Sequence, residues 1–136
     1  MIDVALWLAG AAHFTLLAVS IQVPARLNWR TDLAALTDFN RRVVWVAGGF
    51  IVYTYLGFGV LTLLLHDQMV HGDRSATAIA AFIGLYWLAR LVVDATAFRA
   101  APWPRGWSFR LGHLALVALF GYFAVVYLGL TLSYLT

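Results

Sequence analysis

Residues Ala76 to Phe98 read ATAIAAFIGLYWLARLVVDATAF, an apolar run whose only charged members are Arg90 and Asp94. A helix rises about 1.5 Å per residue and needs roughly 20 mostly apolar residues to cross the hydrocarbon core of a bilayer. The stretch is long enough to be a membrane span. Three further runs qualify, at about Val4 to Val23, Val43 to Leu65 and Phe109 to Leu135. Pro24 follows the first run, HDQMVHGDRS separates the second from the third, and RAAPWPRGWS separates the third from the fourth. These breaks carry the turn and helix-stop residues expected between spans.

Composition agrees. The 136 residues are 63% hydrophobic and 11% charged, and the mean hydropathy is +0.85, well above that of a soluble domain of this size. The absence of cysteine excludes disulfides, thiolate metal sites, iron–sulfur clusters and cysteine nucleophiles. The net charge of +3 comes from arginines scattered through connections, not gathered into a basic stripe, so no nucleic-acid partner is expected. Their distribution instead orients the chain. Arg26, Arg30, Arg41 and Arg42 follow span one, and Arg99, Arg105 and Arg110 follow span three, while Arg74 alone lies on the other side. The positive-inside rule places both arginine-rich connections in the cytoplasm and both termini outside. The first run lacks a basic leader and is expected to be a retained span.

The expected fold is an all-α integral membrane protein, a single transmembrane domain over residues 1–136. It is an antiparallel up-down-up-down four-transmembrane-helix bundle, because the connections are too short for crossovers. Between spans one and two, TDLAALTDFNRR predicts a short interfacial helix near Leu33 to Leu36, with Thr37 or Asp38 capping span two. Asp73 or Ser75 is expected to cap span three. Trp29, Trp45, Trp103 and Trp107 fall near the cytoplasmic boundary, where amphipathic rings anchor at headgroup depth. Tyr53, Tyr55, Tyr122 and Tyr127 sit too deep for such a belt, and some of their hydroxyls are expected to bond across helices.

Small residues allow helix backbones to approach closely. Span two places Gly48, Val52, Tyr55 and Gly59 on one stripe and Gly49, Tyr53 and Gly57 on the neighbouring one; span four carries Gly121 and Gly129. Gly48, Gly49, Gly57, Gly59 and Gly121 are the candidate helix-packing face, serving the bundle or a second protein.

Arg90 and Asp94 share a face of span three with Ile83 and Trp87, since residues four apart stack along a helix. A lone charge in the membrane costs roughly 2.5–3.5 kcal/mol on insertion scales, so both need partners from other spans. Measured from the cytoplasmic ends, Asp94 and His113 lie about 6 Å deep, Arg90 about 12 Å and His13 about 15 Å. The candidate site is therefore an intramembrane polar cluster of His13, Arg90, Asp94 and His113, with Gln22 as a weaker member. Such a cluster can hold helix register, bind a ligand or relay protons through imidazoles that titrate near neutral pH. The outer connection holds His66, Asp67, His71 and Asp73. Their spacing matches no standard metal-ligand pattern, and a solvated turn with no metal is expected.

There is no Walker loop, no G-x-G-x-x-G after a strand, no H-E-x-x-H and no G-x-S-x-G. The reading is a small non-enzymatic protein of the bacterial inner membrane, an accessory or assembly subunit packing on a membrane-protein partner or a second copy. The alternative is a redox subunit binding haem b, quinone or lipid, with Arg90 and Asp94 lining the site and His13 and His113 as haem axial ligands.

Overall fold

The computed structural model describes residues 1–97 and 106–135. Phe98, Arg99, Trp103 and Arg105, invoked above as a span end, inner-side charges and an anchor, lie outside the described residues. All regular structure among them is helical, with no strand. Four helices have the length and apolar character of membrane spans: α1 (Ile2–Arg26), α3 (Asp38–Leu64), α5 (Arg74–Thr96) and α6 (Trp107–Leu135). The chain is a multi-pass membrane protein of all-α class. Two short helices, α2 (Trp29–Asp32) and α4 (His66–Val70), and a 3-10 turn over Leu33–Ala35 occupy the connections.

The boundaries differ from the sequence expectation in two places, at the end of α1 and the start of the interfacial helix, and the expected cap of the second span is present. α1 runs through Pro24 to Arg26, because proline removes only one amide donor and Leu27 N still reaches the Val23 carbonyl at 2.9 Å. The interfacial helix begins at Trp29, earlier than expected, behind Asn28 in the left-handed conformation at φ 56°. Here the indole of Trp29 meets that of Trp45 edge-on at 5.5 Å, and that ring contact holds the segment. α3 starts at Asp38, where Thr37 Oγ1 accepts from Asn40 N at 3.3 Å and the Asp38 carboxylate pairs with Arg42 at 3.1 Å. Arg41 and Arg42 thus belong to the first turns of the helix. Asp73 caps α5, accepting from Ala76 N at 3.0 Å, and so satisfies one of the amides that a helix start leaves open.

The molecule divides into two compact units, Met1–Ala9 with Leu65–Thr136, and Gly10–Leu64. Inside the second, α1 and α3 run antiparallel: Gly10 faces Leu63 and Thr62, whereas Gly59 faces Phe14 and His13. A methyl group at Gly10 would lie 2.8 Å from Leu63 Cδ2, so glycine permits the approach. Inside the first unit α5 and α6 are likewise antiparallel. Gly84 faces Leu128, and Trp87 stacks on Phe120 at 4.8 Å and meets Phe123 at 5.1 Å. Ile83 and Trp87 are fully buried, as the face shared with Arg90 and Asp94 requires. Three polar groups of the spans are satisfied within the chain: Thr62 and Thr131 each donate to the carbonyl four residues back at 2.8 Å, and Tyr122 donates to the Ala5 carbonyl at 2.7 Å. Each removes a donor that lipid could not satisfy.

Candidate intramembrane polar site

The antiparallel α5–α6 pair sets the geometry. With Trp87 wedged against Phe120 and Phe123, the next turns of α5 toward its C-terminus meet the first turns of α6, and the equal depth of Asp94 and His113 becomes a contact. His113 Nε2 lies 2.9 Å from Asp94 Oδ1 and 3.1 Å from Oδ2, so one ring N–H is shared between both carboxylate oxygens. The Asp94 side chain is 16% exposed and that of His113 31%, which withdraws much of the pair from solvent. One turn deeper on α5, the Arg90 guanidinium lies over the Phe120 ring, 5.3 Å from its centroid, an attraction between a cation and a ring face. A guanidinium, a carboxylate and an imidazole thus line one stripe of this unit, with an aromatic floor of Trp87 and Phe120. Chemically, the stripe can hold an anionic or carbonyl-bearing group against Arg90, and His113 can exchange a proton with Asp94.

His13 belongs to the other unit. It is fully buried, its ring meets Phe58 edge-on at 5.8 Å, and its Cβ would lie 3.2 Å from a methyl at Gly59. Gln22, two turns further along α1, is exposed.

The two glycine stripes of α3 separate cleanly. Tyr55, Phe58, Gly59 and Thr62 are the buried residues of the helix, and Gly48 faces Trp29, whose Cζ3 would lie 3.4 Å from a methyl added there. Gly49 and Gly57 point the other way and have open space where a side chain would stand, as does Gly121 on α6. Between Gly49 and Gly57 lies Tyr53, 70% exposed near the middle of the span. Its hydroxyl has no hydrogen-bond partner among the described residues.

Two features escaped the sequence reading. Gly10 and Gly84 are the tightest glycines inside spans; their signal lay in the small-residue settings LAGAA and AAFIG. The outer connection is not a plain solvated turn, because His66 is only 3% exposed. Asp3 and Trp7, from the start of α1, hold it there. Among the described residues no group of three metal-ligating His, Asp or Glu side chains converges. Comparison with protein-family models, curated proteins and solved structures finds no match to this chain.

Proposed function

We propose that this protein is a non-enzymatic accessory or assembly subunit of the bacterial inner membrane, with both termini outside the cytoplasm, that docks α3 on a membrane-protein partner. The observation that carries the proposal is the open stripe Gly49–Tyr53–Gly57, opposite the buried side of the same helix. Only 17% of the α3 hydrophobic window is buried inside the molecule, the smallest share of the four spans. Two glycines a full two turns apart admit a neighbouring backbone, and in lipid the hydroxyl between them can gain a hydrogen-bond partner only from another polar group. The arginine asymmetry supports the orientation.

The test exploits the split between stripes. Gly57→Leu has room on the surface and should leave the fold intact while removing a complex recovered by crosslinking in the native host. Gly59→Leu should instead disturb the α1–α3 contact, since Phe14 Cε2 lies 3.0 Å from the added carbon. A strictly monomeric protein that yields no crosslinked partner overturns the proposal.

The stripe of Arg90, Asp94 and His113 favours a second reading, a site for a quinone or lipid headgroup. A haem ligated by His113 would have to compete with Asp94 for Nε2, the atom that carries the carboxylate contact. The purified protein's visible spectrum and solvent extract discriminate these: a Soret band marks haem, and an extractable quinone lost on Arg90→Ala marks the other ligand.

A further inference from the structure

His66 opens α4 immediately after α3, and its imidazole is held from both edges. Nε2 lies 2.8 Å from Asp3 Oδ1 and 2.9 Å from the Asp3 carbonyl oxygen. Nδ1 lies 3.2 Å from Asp67 Oδ1. The Trp7 indole stacks on the ring at 4.0 Å with 17° between the planes. These are the ring's only hydrogen-bond, ionic and aromatic partners among the described residues. Both nitrogens therefore face acceptors and neither faces a donor. A neutral imidazole carries one N–H and one lone pair, so one edge would turn a lone pair on a carboxylate oxygen; the imidazolium carries two N–H groups and satisfies both. A cation stacked on indole is favourable as well.

We infer that His66 is the proton-binding element of a latch between the first turns of α1 and α4. With both ring protons in place, the imidazolium ties Asp3 to Asp67 beneath Trp7. Loss of one ring proton removes the cation that the Asp3 carboxylate of α1 faces and turns a lone pair on a carboxylate oxygen at one edge of the ring, so the tie between α1 and α4 weakens. The surrounding charged and titratable groups do not replace the imidazolium. From α4, His71 Nδ1 engages the Asp67 carbonyl; from α6, the Tyr134 hydroxyl donates to the Val70 carbonyl; at the start of α5, Asp73 is committed to its cap. Neither Arg74 nor the Met1 amine reaches the ring among the described residues. The latch is therefore tight with the imidazolium and loose with the neutral ring.

The experiment is amide hydrogen exchange on the full chain in detergent micelles at about pH 5.5 and about pH 8, corrected for the intrinsic rate. The α4 amides of Met69 and Val70 should be protected about tenfold more at the lower pH, as expected at the lower end for one charge-assisted hydrogen bond. His66→Gln should abolish that pH dependence, and His71→Gln should preserve it. Asp67→Asn provides an independent variant that keeps the imidazole and its Trp7 stack and should also flatten the response. Equal corrected protection at both pH values in the wild-type protein overturns the inference, as does a pH dependence that survives Asp67→Asn.

Discussion

Asp94 and His113 show how a charge is kept inside an apolar helix pair: a carboxylate on α5 finds an imidazole on α6, and both oxygens share one N–H. Removing either partner strands the other where water is scarce. His113→Gln and Asp94→Asn should each destabilise the chain, by between about 0.6 kcal/mol, the membrane average for an interhelical hydrogen bond, and about 3 kcal/mol for an unsatisfied charged group. A double-mutant cycle read by reversible unfolding in mixed micelles should give a coupling of at least about 0.5 kcal/mol. Additive losses would mean that the contact contributes nothing. This pair was legible in the sequence, because equal distance from two helix ends on the same side is enough to put side chains at one depth. His66 was not. The composition of HDQMVHGD is that of a solvated turn, and the burial comes from Asp3 and Trp7, which sit about sixty residues earlier in the chain and give no local signal.

At the scale of the element, glycine decides which helices touch. A carbon added at Gly84 would lie 2.8 Å from Leu128 Cδ2 and Cγ and 3.1 Å from its backbone nitrogen. Backbone cannot move aside as a side chain can. Gly84→Leu should therefore cost at least about 1–3 kcal/mol through forced separation of α5 and α6, while Gly57→Leu should fall within about 0.5 kcal/mol of wild type, as a surface change does. Equal unfolding midpoints for the two variants would contradict this assignment. Asp73→Ala should cost about 0.5–2 kcal/mol by loss of the α5 cap, seen as faster amide exchange at Ala76. Helix existence and type were evident from apolar run length alone. Ends were legible where a capping side chain marks them, as Thr37 does at the start of α3, and not where Pro24 reads as a stop, since one missing donor near a helix end is tolerated. Which glycine stripe is buried depends on the rotation of α3 against α1, a tertiary property that periodicity does not carry.

At the scale of the whole molecule, four apolar helices make a multi-pass protein, and the arginine distribution argues for a cytoplasmic side. The native chain has no cysteine, so single replacements report topology without background. An outside-only thiol reagent applied to intact cells should label His71→Cys and not Arg30→Cys; the reverse pattern would invert the orientation. The proposal that α3 docks on a partner rests on its open face, and a photocrosslinking residue at position 53 tests it most directly, in the native host, against the same residue at Ile51 on another exposed part of the helix. A discrete adduct with one membrane protein, or with a second copy, is expected from position 53 only, and it should be lost when Gly57→Leu is added. Lipid adducts alone at both positions, or the same protein adduct from both, would contradict the proposal.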